Sequence, residues 1–127
     1  MLRVKRVYDK VSDEDGVRIL VDRIWPRAMS KERANLDLWL KEIAPSGRLR
    51  KWFGHDEKKW DQFKEQYYKE LGSKDSLIAQ IVKKVSSGNV TLLFGAKNQE
   101  FNNAVALKQY IEERQKNSAI STNYRYL

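Results

Sequence analysis

Cysteine is absent from the sequence, and histidine occurs only once, at position 55. Without cysteine the chain can form no disulfide, and it offers no thiolate as a nucleophile or as a zinc ligand. A single histidine cannot complete a conventional zinc site by itself. The sequence therefore excludes cysteine chemistry and predicts no metal centre.

Long apolar runs are absent as well. No stretch approaches the roughly 18 residues that a membrane span requires. The first residues, Met1–Arg6, carry charges with no apolar segment behind them, so they do not predict a signal peptide. We therefore expect a cytoplasmic protein with no membrane partner.

What the sequence does contain is an excess of positive charge. Its 25 lysine and arginine residues outnumber 17 aspartate and glutamate residues and give a formal net charge of +8. This sign favours an anionic partner, either a nucleic acid or a small molecule bearing phosphate or carboxylate groups. The basic residues are interspersed with acidic ones, however, and no basic block or recognised nucleic-acid motif is present. An ordinary basic surface is therefore an equally good interpretation.

The order of apolar segments predicts the fold. Strands are predicted at Leu2–Tyr8, Arg18–Trp25 and Val90–Phe94, with a weaker one at Leu36–Leu40 that also fits a helical stripe. Helices are predicted from Ser46 as N-cap to Phe53, over Glu57–Leu71 and Ser76–Ser86, and from about Phe101 to Arg114. Strands that alternate with helices indicate a single α/β domain, with a small, mostly parallel sheet flanked by helices.

Two predicted strands run into polar loops at their carboxyl ends, where open α/β sheets bind ligands. The second strand runs at its carboxyl end into a segment that contains Asp22, Arg23 and Arg27, and the last main strand runs into the loop 95–98. A loop of small residues before a helix amino terminus favours negative charge, and Lys97 adds a cation there. The loop lacks the glycine-rich phosphate-binding pattern, so this signal is generic.

Three kinds of side chain are candidates for the chemistry. Arg23, Arg27 and Arg50 suit carboxylate or phosphate ligands, since a guanidinium binds such groups through two hydrogen bonds. Asp22 is either a catalytic carboxylate with a perturbed pKa or the ion-pair partner of Arg23 or Arg27, and the second interpretation is favoured on sequence. His55 is either a general base or a capping or surface residue between two helices.

The chain also carries an ordered set of short motifs, at Arg6–Asp9, Asp15–Arg27, Ala44–Ser46, Leu49–Phe53 and Leu92–Asn98. This set resembles the YeaO-like proteins, a family called domain of unknown function 488. The match runs from Arg3 to about Glu113. The resemblance implies that the family's domain covers residues 1–116 and leaves 117–127 as a tail or one late edge strand.

The resemblance further implies where a site lies. The family's shared polar residues fall here at Arg6, Tyr8, Arg18, Asp22, Arg23, Arg27, Ser46, Arg50, His55, Lys97 and Asn102. Most of them follow predicted strands, and the resemblance adds weight to a functional role for His55. The family carries no assigned reaction, so the resemblance leaves the cofactor unknown, and enzymatic activity and oligomeric state stay open.

Longer relatives carry two cysteines and a His-Arg pair after the last main strand. The cysteine positions fall here at Phe94 and Asn102, and the His-Arg positions at Asn103 and Ala104. Close relatives commonly carry histidine where this chain has Asn103. Any metal or thiol chemistry of the longer proteins therefore does not carry over.

The sequence thus predicts an arginine-rich strand-end cleft that binds a small anionic ligand, with or without catalysis. The candidate catalytic residues are Asp22 and His55, and the candidate ligand-binding residues are Arg23, Arg27, Ser46, Arg50, Lys97 and Asn102. Two alternatives remain open. One is a nucleic-acid-associated module, which the charge and the four tryptophans suggest, and the other is a polar network that only stabilises the fold.

Overall fold

The computed structural model describes the backbone of residues 1–125 and the side chains of residues 1–117. Four strands form one sheet: β1 (Leu2–Arg6), β2 (Val17–Leu20), β3 (Leu38–Trp39) and β4 (Val90–Phe94). Their order is β1-β4-β2-β3, and every neighbouring pair is parallel. The predicted single α/β domain is confirmed, and within the described residues its sheet is parallel throughout.

Over residues 1–125, five α-helices accompany the sheet: α1 (Lys31–Ala34), α2 (Gly47–Phe53), α3 (Trp60–Leu71), α4 (Asp75–Ser87) and α5 (Asn103–Arg125). The predicted start of α2 is confirmed, because the Ser46 hydroxyl accepts a hydrogen bond from the Leu49 N–H at 3.2 Å. A single 3-10 turn at Glu57–Lys59 precedes α3 and accounts for the earlier predicted start of that helix.

The core lies against the central strand β4, whose residues are all buried. The predicted stripe of α3 faces it, because Trp60, Phe63, Tyr67 and Leu71 are buried at helical spacing. The aromatic rings of Phe53 and Phe63 stack with their centroids 4.3 Å apart. These side chains fill the interior and are not available as a base-stacking surface.

The second strand is shorter than predicted, because it ends at Leu20 instead of Trp25. The Val21 N–H still donates to the Leu93 carbonyl at 3.1 Å, and the chain then leaves the sheet. Trp25 turns away to donate its indole N–H to the Met29 carbonyl at 2.6 Å. This hydrogen bond joins residues four positions apart in the chain, and strand propensity alone does not anticipate it.

The last helix differs from the prediction at both ends. It begins at Asn103, two residues after Phe101, because Asn102 is its N-cap. It continues to Arg125, so the structure describes helix and not an edge strand over residues 117–125, while the end of the domain at residue 116 stays a prediction. No glycine or proline follows Arg114 to end a helix there. The last two positions of that predicted segment, 126 and 127, lie outside the described residues.

The order of the strands determines which loops meet. Strands β1 and β2 follow one another in the chain, but β4 lies between them in the sheet. Because all of these strands are parallel, their carboxyl ends reach the same edge. The loops that follow β1, β4 and β2 are therefore neighbours. In the part of the chain that the structure describes, no helix is long and apolar enough to cross a membrane.

Candidate functional site

Asp22 lies at the centre of this edge, two residues after β2, and its side chain is half-buried. One carboxylate oxygen, Oδ2, accepts a hydrogen bond from the Gly95 N–H at 2.8 Å. The other, Oδ1, accepts from Asn103 Nδ2 at 2.9 Å. A Cβ atom at position 95 would lie 3.2 Å from Oδ2, so glycine permits this close approach. The carboxylate thus joins the end of β2 to the loop after β4 and to α5.

The protein environment raises the pKa of the Asp22 carboxyl above its ordinary value. Burial is the largest cause, because it disfavours the charged form. The hydrogen bonds from Asn103 and Gly95, and the positive charge of Arg50, act in the opposite direction without cancelling it. A perturbed carboxyl at converging strand ends is a typical feature of functional sites, although structural networks produce it too.

Asn103 is a member of this site that the sequence reasoning did not select. It is the first residue of α5, and its Nδ2 donates both to Asp22 and to the Val21 carbonyl, the latter at 3.1 Å. The sequence could have indicated Asn103 as a site residue through its position, because longer relatives carry the histidine of a His-Arg pair there. An amide can donate these hydrogen bonds but does not titrate near neutral pH.

Asn102 has its amide group occupied within the chain. Its Oδ1 accepts from the Val105 N–H at 2.9 Å, and its Nδ2 donates to the Asn98 carbonyl at 2.9 Å. The residue is only 2% exposed. Both contacts order the start of α5 and the loop before it, so the structure places Asn102 as the cap of that helix.

Three predicted ligand-binding cations, Arg27, Arg50 and Lys97, are exposed at or near this edge. Within the described part of the chain, their side chains form no hydrogen bond and no ion pair. Arg50 is nevertheless close enough for its charge to act on the pKa of Asp22. Pro26 approaches to 4.0 Å from a Cβ built at Gly95, which brings the segment before Arg27 against the loop that carries Lys97.

Arg6, at the end of β1, also reaches this edge. Its Nε donates to the Ala96 carbonyl at 2.9 Å, and its guanidinium lies 4.9 Å from the centre of the Tyr8 ring. The Tyr8 hydroxyl in turn donates to the Arg27 carbonyl at 2.7 Å. These contacts hold together the loops that follow three strands, and they leave the Arg27 guanidinium free.

Arg23 and Ser46 are directed to a different place. Arg23 donates from Nη2 to the Ala44 carbonyl at 3.1 Å and pairs with Glu42 at 3.7 Å. The Ser46 N–H and hydroxyl both donate to the Glu70 carboxylate, at 2.8 and 2.7 Å. The expectation that Asp22 pairs with Arg23 or Arg27 is therefore wrong. Within the described residues neither arginine bonds to it, since Gly95 and Asn103 occupy its oxygens.

His55 is exposed in the turn after α2 and has a left-handed backbone, with φ of 59°. Its ring is 6.3 Å from that of Phe53, measured between centroids. The side chain forms no hydrogen bond or ion pair with any residue whose side chain the structure describes. The structure therefore does not bring His55 into contact with Asp22.

Arg18, one of the polar residues that the resemblance singled out, is buried and structural. It is 2% exposed, forms an ion pair with Asp15, and donates from Nη2 to the Ala34 carbonyl at 2.8 Å. Lys5 contacts the same carboxylate at 3.0 Å. Across residues 1–117, no group of three or more histidine, aspartate or glutamate side chains is arranged to hold a metal ion.

These features define a small parallel α/β protein whose strand-end loops converge on one hydrogen-bonded carboxylate. Residues 1–125 match the family described as the inactive DUF488-N3 subclade. The chain therefore belongs to the YeaO-like DUF488 family.

Three relatives cover almost the same length. Protein YeaO of Escherichia coli K12 is 42% identical over 113 residues, which span 87% of this chain and 96% of YeaO. Proteins Mb3100c of Mycobacterium bovis and Rv3073c of Mycobacterium tuberculosis are each 34% identical over 113 residues, 89% of this chain and 95% of theirs. All three are described as uncharacterised. No solved structure matches the chain.

Proposed function

We propose that this protein binds a small anion, bearing phosphate or carboxylate groups, at the strand-end site. We define the strand-end site as Asp22 with the exposed cations Arg27, Arg50 and Lys97. One observation carries the proposal: both Asp22 oxygens accept hydrogen bonds from Gly95 and Asn103, while the three cations have no partner among the described residues. Guanidinium and ammonium groups without internal partners are free to bind an external anion.

We further propose that binding occurs without proton-transfer chemistry. The position at which longer relatives carry a histidine is Asn103 here, and an amide does not titrate near neutral pH. His55 makes no contact with Asp22. The description of the family as an inactive subclade agrees with this proposal. Asp22 then serves to position the loops, and the cations supply the affinity.

The test is a titration of the full chain with inorganic phosphate, nucleoside monophosphates and small carboxylates, followed by thermal unfolding. A ligand that binds the native state raises the melting temperature. Losing one hydrogen bond between charged groups costs about 1.5–3 kcal/mol, which weakens binding about tenfold or more. We expect that loss in Arg50→Ala and in Arg27→Ala. Arg33→Ala, which removes an exposed arginine on α1, is the matched control and should bind like the wild type.

Two results would count against the proposal. One is the absence of a shift with every anion, and the other is an equal shift in the wild type, the Arg50 variant and the Arg33 variant. Either result favours the structural alternative, in which the polar residues only stabilise the fold.

Binding of single-stranded nucleic acid is a second candidate function, and one exposed aromatic residue favours it. Trp52 on α2 is 40% exposed, and Lys59 lies 5.0 Å from its ring centre. Exposed aromatic rings beside basic side chains stack unpaired bases. If the protein has this function, oligonucleotide binding by the wild type should weaken steeply as salt is raised. Trp52→Ala should abolish that binding. Binding that Trp52→Ala leaves intact would remove this candidate.

A further inference from the structure

A second concavity, open to solvent, lies away from the Asp22 carboxylate, between the start of α2 and the loop that joins α3 to α4. Its volume is about 430 Å³, and it is lined by Ser46, Arg48, Glu70, Ser73 and Lys74. This volume falls within the range of about 300–1,000 Å³ that is typical of small-ligand pockets. We call it the Lys74 concavity. Nothing in the strand-end site accounts for it.

Two cations in this region share one neutral acceptor. The Lys74 ammonium donates to the Ala44 carbonyl at 3.2 Å, and the Arg23 guanidinium donates to the same oxygen at 3.1 Å. Burial, followed by the charge of Arg23, lowers the pKa of Lys74 below its ordinary value. The charges of Glu70 and Glu42 act in the opposite direction without cancelling the lowering of this pKa.

Two carboxylates, Glu70 and Glu42, lie near enough for their charges to act on Lys74. Both oxygens of Glu70 accept hydrogen bonds from Ser46. Glu42 has a largely exposed side chain and pairs with Arg23 at 3.7 Å. Neither carboxylate forms an ion pair with Lys74 or with Arg48 in the part of the chain whose side chains are described. The wall of the concavity thus presents two cations, Arg48 and Lys74, and one carboxylate, Glu70.

We propose that the Lys74 concavity is a second anion-binding site, with Lys74 and Arg48 as the groups that bind a phosphate or carboxylate. Arg23 donates to the same Ala44 carbonyl as Lys74 and adds positive charge beside this concavity. A purely structural role as a cation that caps a carbonyl accounts for Lys74 but not for Arg48, which lines the same concavity without a described partner. An anion bound here would compensate the positive charge of Arg48 and Lys74 that Glu70 does not offset.

The experiment is a titration of the ¹⁵N-labelled full chain with inorganic phosphate, followed by ¹H–¹⁵N NMR at constant ionic strength. We expect saturable shifts of the Arg48, Ser73 and Lys74 amides, separate from any shifts of Gly95 and Ala96 at the strand-end site. Arg48→Ala and Lys74→Gln should each weaken phosphate binding at the concavity about tenfold, since each loses one charge-assisted hydrogen bond. Their matched controls on α1, Arg33→Ala and Lys31→Gln, should leave all shifts unchanged.

The outcomes separate the two sites. If phosphate shifts only the amide signals of Gly95 and Ala96, the Lys74 concavity is not an anion-binding site and the strand-end proposal stands. If it shifts only the amides of the concavity, the strand-end proposal fails and this one stands. Equal binding by Arg48→Ala and the wild type at the concavity would overturn the inference. That variant changes an exposed side chain, so the test does not depend on the folding of Lys74→Gln.

Discussion

At the level of single residues, Asp22 joins three segments that are distant in the sequence. Its carboxylate accepts from a loop amide on one side and from a helix-start amide on the other. The comparison with longer relatives drew attention to position 103 only because this chain lacks their histidine there. The structure shows that the asparagine at this position is itself a hydrogen-bond donor to the strand-end carboxylate.

Replacing Asp22 with alanine should destabilise the protein. The change leaves the Gly95 N–H and the Asn103 amide without an acceptor, which costs about 1–3 kcal/mol for a group that stays buried. Chemical denaturation measures the free energy of unfolding of both proteins. Asp22→Asn, which keeps an oxygen for the Gly95 N–H, should be less destabilising. A free energy of unfolding for Asp22→Ala equal to that of the wild type would contradict the positioning role.

The raised pKa of Asp22 predicts a specific pH dependence. Between the unfolded value, 3.8, and the higher folded value, the native state binds more protons than the unfolded state. The stability of the wild type relative to Asp22→Asn should therefore fall as pH rises through that interval, and then level off. Denaturation curves of both proteins at a series of pH values measure this difference.

Asp15 provides the opposite case and serves as the internal control. Burial acts to raise the pKa of its carboxyl, but hydrogen bonds from Ser12, Lys5 and Arg18 outweigh burial and lower the pKa. Its contribution to stability should be present above pH 3.8, its unfolded value, and should be lost as pH falls through the folded value. Comparison with Asp15→Asn should thus give a curve of opposite slope. The same slope for both residues would show that their environments do not differ as the structure indicates.

The buried pair of Arg18 and Asp15 predicts a larger effect. Truncating Arg18 to alanine leaves the Asp15 carboxylate buried with only Lys5 as a cationic partner, and breaking such a pair costs about 3–5 kcal/mol. Chemical denaturation of Arg18→Ala tests this value. Arg33→Ala, at an exposed site, should change stability by less than about 0.5 kcal/mol. Equal effects of the two substitutions would contradict the structural role of Arg18.

At the level of elements, Ser46 connects two helices. It caps α2 through the Leu49 N–H, and it donates its own N–H and hydroxyl to Glu70 on α3. Ser30 caps α1 in the same manner, through the Arg33 N–H at 3.1 Å. Each serine thus makes the same kind of N-cap hydrogen bond at the start of its own helix. Among the described side chains, only Ser46 also contacts a second helix.

This difference gives a matched pair of substitutions. Loss of an N-cap costs about 0.5–2 kcal/mol. Ser30→Ala should fall within that range, and Ser46→Ala should cost more, because a Glu70 oxygen also loses its hydroxyl donor. The free energies of unfolding of the two variants test the order. A smaller loss for Ser46→Ala than for Ser30→Ala would show that the contact with α3 adds no stability.

At the level of the whole molecule, the net charge of +8 acts on any anion that approaches. Screening shortens the reach of exposed charges, from about 30 Å at 0.01 M salt to about 8 Å at 0.15 M. Phosphate binding at the strand-end site should therefore weaken as sodium chloride is raised, because Arg27, Arg50 and Lys97 are exposed. Calorimetric titrations at several salt concentrations measure this trend. Affinity that does not change with salt would indicate binding at a site shielded from solvent.

Local patterns were sufficient to predict much of the fold. The N-cap at Ser46, the buried stripe of α3 and the strand β4 were all found where the sequence indicated. These features depend on side-chain periodicity and on capping within a few residues, which a sequence displays directly. The end of β2 was misplaced, because strand propensity extends to Trp25, whereas its indole donates instead to the Met29 carbonyl four residues later.

The grouping of the candidate residues depended on tertiary structure. The sequence alone determined an α/β domain with polar residues after its strands, no cysteine chemistry, and an excess of positive charge. Only the order β1-β4-β2-β3 decided that Asp22 meets Gly95 and Asn103, while Arg23 and Ser46 lie with Glu42 and Glu70. Strand order and loop contacts join residues tens of positions apart, and such pairings leave no mark in local periodicity.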